Sequence, residues 1–181
     1  MDYEEFELLT KRLEQVQARL ERYDSERQIA HVMYRYIHAC DEVKDAEVIS
    51  SLFTEDAVWE GKGRFSEFGL TIGRDAIREM FVENPTMLPF TAHFLTNPII
   101  GLSMDGTSGW GKWHCLEAAT LRDQRAQVWI AAWYDNDFDC VDGEWKIKHL
   151  RFEDSFVAPY EEGWLKTRYV SPQTLIKESS L

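Results

Sequence analysis

The sequence predicts an α+β fold in which N-terminal helices pack on one face of a curved, mixed or antiparallel sheet. Two observations predict it: the first half of the chain has helical periodicity, and four long β-rich segments separated by short turns fill the second half. The chain has 181 residues, of which 44% are hydrophobic, a size and composition typical of one folded domain. We therefore expect a single domain over residues 1–181, with a helical extension at 1–24 and a C-terminal arm at 159–181.

Two helices are predicted at the start of the chain, followed by a short third one. Apolar side chains recur every three or four positions over residues 4–23 and form a narrow stripe, which suits packing across a body or against another subunit. The stripe consists of Phe6, Leu9, Leu13, Val16, Leu20 and Tyr23. Ser25 and Gln28 can form a capping box, so we expect a second helix to begin there and continue to Cys40. The third helix is expected over residues 45–53.

The middle of the chain changes from helix to strand. We expect a turn at residues 54–56 and a short strand that begins at Val58-Trp59. Glycines over residues 61–69 predict a long loop or hairpin. A further helix is expected over Ala76–Val82, and Asn84-Pro85 should end it because the residue before proline disfavours helical backbone.

The second half predicts a meander of four antiparallel strands. Trp, Val, Ile, Phe and Thr are frequent there, and these residue types favour strands. The predicted strands are Thr91–Met104, Thr107–Arg122, Gln127–Cys140 and Glu144–Ala158. The turns between them are expected at Asp105-Gly106, Arg122-Asp123 and Asp142-Gly143.

The negative charge of the chain excludes nucleic acid and membrane surfaces as partners. Lys and Arg number 20 against 32 Asp and Glu, so the net charge of -12 repels phosphate backbones and anionic lipid surfaces. We expect no nucleic acid and no membrane partner.

The N-terminus has no signal-peptide core, and Cys40, Cys115 and Cys140 have apolar neighbours, which suits buried thiols in the cytoplasm. The sequence has no GxGxxG, P-loop, GxSxG or HExxH motif and no metal-ligand spacing, so neither cofactor nor metal is expected.

Three polar residues fall on or near apolar faces in the first part of the chain. Tyr36 lies in the middle of the apolar face of the second helix, as a core aromatic or as a hydrogen-bond donor. Asp41 lies at the edge of that face, either as a solvent-facing acid or as a buried carboxylate that needs a partner. His93 lies in a strand and shares a face with Leu95 and Asn97. A carboxylate partner for His93 would make it a base near neutral pH.

Two charged residues of the later strands are further candidates. Glu117 shares an apolar face with Trp113 and Cys115, and it serves either in an ion pair with a neighbouring strand or in a site. His114 points to the opposite face if Trp113 points inward. Arg151 is expected on one face with Trp145 and Ile147, where it could bind an oxyanion or form a salt bridge to Glu153, Asp154 or Glu117.

Four stretches of the chain carry a family resemblance. They are Ile29–Asp41; Leu52–Trp59 with Gly73–Ile77; His93–Pro98; and Trp133–Phe138 with Asp142–Ile147 and Arg151. In these stretches, which cover about residues 26–157, the chain resembles the SnoaL-like branch of the nuclear transport factor 2-like superfamily. It is most similar in kind to cofactor-free lyases and isomerases such as scytalone dehydratase, bile acid 7α-dehydratase and lindane dehydrochlorinase.

The resemblance implies a cone-shaped pocket and a cofactor-independent lyase, most simply a dehydratase, that acts on a hydrophobic, ring-bearing small molecule. By resemblance, Tyr36, Asp41, His93 and Arg151 line the pocket, while Glu117 stands where Asp or His is more usual. His93, oriented by Asp41, would remove a proton, Tyr36 would donate a hydrogen bond, Arg151 would add charge near the leaving group, and Glu117 would position His93 or Arg151.

Five residues are candidates for contact with a substrate. They are Trp59, Leu95, Trp113, Trp133 and Asn97; for the four apolar ones, core packing is the alternative. The same pocket would also suit an isomerase, a dehalogenase or an aldehyde-releasing lyase of aromatic or steroid catabolism. A non-catalytic module resembling the small subunit of ring-hydroxylating dioxygenases is the third alternative. A homotrimer or homodimer is expected by resemblance.

Overall fold

A computed structural model describes residues 3–121 and 127–170 of the chain. Its strands are β1 Phe53–Lys62, β2 Leu70–Ile72, β3 Phe90–Leu102, β4 Ser108–Thr120, β5 Gln127–Val141 and β6 Glu144–Pro159. Its helices are α1 Tyr3–His38, α2 Ala46–Ser50, α3 Arg74–Met87 and α4 Gly163–Lys166. A π-helical turn at Ala39–Val43 follows α1, and a short 3-10 helix at Gly63–Phe68 follows β1.

The predicted α+β class is confirmed. The six strands form one mixed sheet in the order β2-β1-β6-β5-β4-β3, in which only β1 and β6 run parallel. The C-terminal half of α1 packs on this sheet, as in a nuclear transport factor 2-like cone. The core between the helices and the sheet includes Ile29, Met33, Phe53, Ile77, Phe138 and Ile147, each of which is fully buried.

The predicted break between the first two helices is wrong. Helix α1 runs without interruption from Tyr3 to His38, and Ser25 does not cap a new helix. The segment around Ser25 contains neither glycine nor proline, and the Gln28 amide donates a hydrogen bond of 2.6 Å to the Asp24 carboxylate one turn earlier. That bond lies across the predicted boundary and supports a continuous helix.

Two boundaries in the middle of the chain also differ from the prediction. Residues 54–56 belong to β1 and form no turn; there the strand bulges, because the pairing with β6 shifts from Phe53↔Ile147 to Val58↔His149. Helix α3 continues through Pro85 to Met87. The proline lies in the last turn, where its missing N–H costs a single bond, and Leu88 N still donates to the Asn84 carbonyl at 2.8 Å.

The predicted meander is confirmed, since β3, β4, β5 and β6 pair in sequence and antiparallel. The segment at 61–69 is the connection of the β1–β2 hairpin. The predicted turn at Arg122-Asp123 and residues 171–181 of the arm lie outside the described residues. Within the described ranges, none of the helices has the length and apolar character needed to cross a membrane.

Candidate functional site

The side chain of His93 is held between two carboxylates. Its Nδ1 atom lies 2.6 Å from Oδ1 of Asp41, and its Nε2 atom lies 3.2 Å from Oε2 of Glu117. The exposed fractions of the three side chains are 11% for His93, 13% for Asp41 and 5% for Glu117. A buried charge is stable only when it is paired and hydrogen-bonded, and each member of this group is a partner of another. The structure therefore brings these three predicted residues together.

The π-helical turn at the end of α1 places Asp41 beside β3. A π turn is wider than an α turn and is frequent at functional sites, and here Lys44 ends it in the left-handed conformation with φ of 52°. The Asp41 carboxylate accepts hydrogen bonds from the Thr91 hydroxyl at 2.7 Å and from the His93 backbone N–H at 2.8 Å. With the ring bond, three donors fix the carboxylate on the strand, so the partner that Asp41 needs is His93.

Glu117 reaches His93 because the two residues are direct partners in the β3–β4 register. Trp113, Cys115 and Glu117 alternate on the buried face of β4, as the sequence predicts, and His114 lies on the exposed face. Cross-strand partners have their Cβ atoms about 5 Å apart, so side chains of this length meet without distortion. The antiparallel pairing alone therefore positions the second carboxylate.

The two carboxylates set the protonation state of the ring. Burial lowers the pKa of His93, but the charge of Glu117 and the hydrogen bond to Asp41 outweigh it and raise the pKa to about 10. Burial raises the pKa of Asp41, yet the hydrogen bonds and the charge of His93 outweigh it and lower that pKa below its ordinary value. At neutral pH the ring therefore has a proton on both nitrogens, and the Nε2 proton faces Glu117.

His93 and Glu117 lie in the wall of a largely apolar cavity of about 320 Å³, at the lower end of the range for small-molecule sites. Its polar wall also contains Tyr36 and Thr91. Its apolar wall consists of Trp59, Phe65, Phe68, Met80, Phe81, Met87, Leu88, Ile130, Tyr134 and Phe152, with Cys40, Glu83 and Asn84 completing the lining. The cavity can accept a hydrophobic small molecule and place it against the histidine and the glutamate.

Tyr36 contributes a protonated hydroxyl to this wall. Burial raises the pKa of Tyr36 well above its ordinary value, so the phenol is protonated at neutral pH. Its oxygen accepts a hydrogen bond of 3.4 Å from Nε1 of Trp59, and its ring packs edge-on against Phe53, Phe81 and Tyr134. The hydroxyl also forms a hydrogen bond with the Cys40 thiol, and it can donate to an oxygen atom in the cavity by turning away from that thiol.

A second, more open groove of about 310 Å³ lies on the other side of the Asp41–His93 pair. It is lined by Tyr34, Ile37, His38, Asp41, Glu42, His93 and Leu95. The His93 ring therefore borders the apolar cavity and this outer groove.

Arg151 does not line the cavity, in contrast to the prediction. The pairing of β5 with β6 shifts between Asp137↔His149 and Phe138↔Ile147. The extra residue in β6 reverses the alternation, so Ile147 and Phe152 are buried, whereas Arg151 points to the opposite face. There its guanidinium lies 2.7 Å from the Asp137 carboxylate, and none of the three salt-bridge partners expected from the sequence is used.

The same guanidinium completes a polar group on the outer face of the sheet. It donates to the Asp135 carbonyl at 3.1 Å and to Nδ1 of His149 at 2.8 Å, and it lies 3.8 Å from Glu60. Burial and the nearby Arg151 charge lower the pKa of His149, against the opposing effect of Glu60. These contacts join β1, β5 and β6 and give Arg151 a structural role.

Of the five residues predicted to contact a substrate, Trp59 is the one that lines the cavity. Trp113 is buried in the core at 1% exposure, and Trp133 is 38% exposed on the opposite face of the sheet. Leu95 lines the outer groove. Asn97 is exposed in a bulge of β3, with φ of 53°, because the β3–β4 register shifts between Thr96 and Ile99. Asn97 lines neither the cavity nor the outer groove.

Several residues of the site are absent from the prediction. Thr91 is two positions before His93 and could have been recognised from strand alternation. Tyr134 follows Ile130 and Ala132 on the buried face of β5, so alternation also indicates it. Phe65 of the 3-10 helix and the cavity-lining residues of α3 could not be recognised from alternation, because their positions depend on how these two segments fold over the sheet.

Two cysteines, Cys40 in the cavity lining and Cys115 on the buried face of β4, are protonated thiols. Burial raises the pKa of Cys40 and Cys115 well above the ordinary value for a thiol, so both remain protonated. Within residues 3–121 and 127–170, no group of three or more His, Cys, Asp or Glu side chains is arranged to hold a metal ion.

Comparison with known proteins gives one family match and many structural matches. The family model described as a SnoaL-like domain matches residues 21–151. No curated protein sequence matches the chain. A provisionally named scytalone dehydratase from Novosphingobium aromaticivorans superposes with a TM-score of 0.65 at 23% identity, over 74% of this chain and 86% of its own.

Two further structures illustrate the range of similar proteins. The hexachlorocyclohexane dehydrochlorinase LinA-type3 from Novosphingobium barchaimii has a TM-score of 0.67 at 21% identity, over 77% of this chain and 92% of its own. A Mycobacterium tuberculosis protein of unknown function has a TM-score of 0.58 at 20% identity, over 71% of this chain and 70% of its own. At these identities the matches establish the fold.

Proposed function

Because the chain belongs to the SnoaL-like family, we propose that it is a lyase that eliminates water from a hydrophobic, ring-bearing small molecule bound in the apolar cavity. The observation that carries the proposal is the position of His93, whose two ring nitrogens face Asp41 and Glu117 at the wall of that cavity. A buried acid–base pair beside an apolar cavity is the arrangement that proton transfer to and from a bound molecule requires.

The raised pKa of His93 assigns the roles within the pair. A ring that is protonated at neutral pH supplies a proton, so His93 acts as the acid, and the Glu117 carboxylate acts as the base. This division differs from the sequence-based expectation, in which His93 removes the proton and Glu117 positions His93 or Arg151. Asp41 keeps the ring in place through Nδ1 and stabilises its positive charge.

The proposed elimination balances without any further reactant. Glu117 takes a proton from a carbon next to a carbonyl group, the electron pair of that C–H bond forms the new double bond, and the C–O bond breaks. The Nε2 proton of His93 passes to the departing hydroxyl, which leaves as water. The proton on Glu117 then moves back to Nε2 over the 3.2 Å that separates the two atoms, and the resting state is restored.

Tyr36 is proposed to stabilise the charge that develops on the carbonyl oxygen. Its hydroxyl lines the cavity and remains protonated. A hydrogen bond aimed at a developing oxyanion in a water-poor site typically contributes a factor of about 10² or more to the rate. The aromatic walls would hold the ring of the substrate in contact with the pair.

The proposal is tested with a panel of β-hydroxy ketones that have one to three fused rings. Binding is first detected as a rise in melting temperature, and turnover is then followed by mass spectrometry. Loss of water is the expected result, and His93→Ala should abolish it. His114→Ala serves as the matched control, since His114 lies on the exposed face of β4. Full activity of His93→Ala would refute the proposal.

The same assay, extended to the corresponding β-halo ketones, separates the alternative functions. Loss of a halide, loss of an aldehyde and unchanged mass distinguish a dehalogenase, an aldehyde-releasing lyase and an isomerase from the dehydratase. A non-catalytic binding module would bind the ring compounds and leave both their mass and their NMR spectrum unchanged, whereas an isomerase would change the spectrum without changing the mass.

A further inference from the structure

The N-terminal part of α1 projects from the rest of the chain. Every residue from Tyr3 to Asp24 is exposed, and the first buried residue of the helix is Ile29. At 1.5 Å per residue these about 22 residues extend for about 33 Å. Most of the stability of a helix in a protein comes from the packing of its apolar face, and the large apolar side chains of this segment are exposed, so the segment has a physical reason to associate.

The apolar stripe of this segment follows a heptad repeat. Phe6, Leu13 and Leu20 occupy the a positions, and Leu9, Val16 and Tyr23 occupy the d positions. Each of the six is between 52% and 65% exposed. A seam of three uninterrupted heptads is the pattern by which two helices pack knobs into holes. The structure thus leaves a coiled-coil seam without a packing partner among the described residues.

The seam faces away from the protein body. With about 100° of rotation per residue, the mean direction of the six seam residues lies roughly 160° from that of the buried residues of α1. Those buried residues are Ile29, Val32, Met33, Tyr36 and Ile37. A second helix can therefore pack on the seam while its own body lies on the far side of the pair.

The charges beside the seam select the partner and its direction. In a parallel pair, each g residue faces the e residue five positions later in the other helix. Arg19 then faces Asp24 of the second copy, and Arg12 faces Gln17, so no like charges meet. In a fully overlapping antiparallel pair, Arg12 would instead meet Arg19. We propose that α1 pairs with α1 of a second copy of this chain as a parallel, two-stranded coiled coil.

The first test compares two double-lysine variants by light scattering after size exclusion. Leu13→Lys with Leu20→Lys puts four positive charges into the seam, whereas Leu8→Lys with Ala18→Lys puts the same charges on the outer surface of the helix. We expect the seam variant to have half the mass of the wild type and the control to keep the full mass. Near-UV circular dichroism checks that the body remains folded. A monomeric wild type, or a seam variant of unchanged mass, would overturn the proposal.

The second test determines the direction of the helices. Phe6→Cys should form an intermolecular disulfide under mild oxidation, because equivalent a residues meet in a parallel pair. Unmodified protein, which contains Cys40, Cys115 and Cys140, is treated in parallel to measure the background. A disulfide between Phe6→Cys and Tyr23→Cys subunits, in place of the Phe6→Cys homodimer, would refute the parallel arrangement.

Discussion

His93 and Glu117 are direct partners across the β3–β4 pairing, and their side chains meet with Nε2 3.2 Å from Oε2. The pair is therefore fixed by the main chain of two adjacent strands, and Asp41 is added from the helical side. A site built on paired strands varies little in geometry, which suits a reaction that passes a proton between two fixed atoms.

The first prediction concerns Glu117. Replacing it by Gln preserves the shape of the side chain but removes the charge that keeps a proton on Nε2. We expect the pKa of His93 to fall and kcat to drop by about 10²-fold or more, with little change in KM. Steady-state kinetics on a compound identified as a substrate provide the measurement. A variant with wild-type kcat would exclude Glu117 as the base.

The second prediction concerns pH. In the unfolded chain the pKa of His93 returns to about 6.5, whereas in the folded protein it is about 10. Between these values the folded protein binds more protons than the unfolded chain. The stabilisation from His93 is therefore complete below about pH 6.5 and is lost as the pH rises through about 10.

The measurement is the free energy of unfolding between pH 6 and pH 10. The wild type should lose stability over this range more steeply than His93→Gln, which has no such group to titrate. His114→Gln should follow the wild type, since His114 lies on the exposed face of β4. Equal slopes for the wild type and His93→Gln would contradict the raised pKa.

Strict strand alternation gives the wrong face of β6 for Arg151. Strict alternation along β6 places it on one face with Trp145 and Ile147, but one extra residue in the strand moves it to the other face. The pattern of apolar residues does contain the shift, because Leu150 and Phe152 continue the buried face. A carboxylate partner such as Asp137 cannot be recognised without knowing which strands pair.

The third prediction follows from this position. Arg151→Met should lower the free energy of unfolding, because it leaves the Asp137 carboxylate without its closest cation and removes the donor to the Asp135 carbonyl. The expected loss is about 1 kcal/mol, as for a partly exposed ion pair. Binding of ring compounds should be unchanged within twofold, as measured by thermal shift and titration. A large loss of binding with unchanged stability would show that Arg151 takes part in binding the ring compounds.

Most of the strands and helices could be predicted, because periodicity is a local property of the chain. The four strands of the meander follow from residue type and turns. The continuity of α1 through Ser25 does not follow in this way, because Ser25 and Gln28 can form a capping box at the start of a helix but can equally lie in the interior of one. The meeting of Asp41 and His93 depends on a π turn that carries no sequence signal here. For that contact, the prediction rested on family resemblance.

The last prediction separates Asp41, which holds the His93 ring, from Thr91, which holds the Asp41 carboxylate. Asp41→Asn removes the charge that stabilises the imidazolium, whereas Thr91→Val removes only a neutral donor to the same carboxylate, at 2.7 Å. We expect Asp41→Asn to lower the pKa of His93, to reduce kcat by about 10²-fold and to cost roughly 1.5–3 kcal/mol of stability. Thr91→Val should cost about 1 kcal/mol and leave the pKa of His93 near that of the wild type. Histidine titration by NMR and chemical unfolding supply the two readouts. If Thr91→Val shifts the histidine pKa as much as Asp41→Asn does, then packing of the strand, rather than the Asp41 charge, controls the ring.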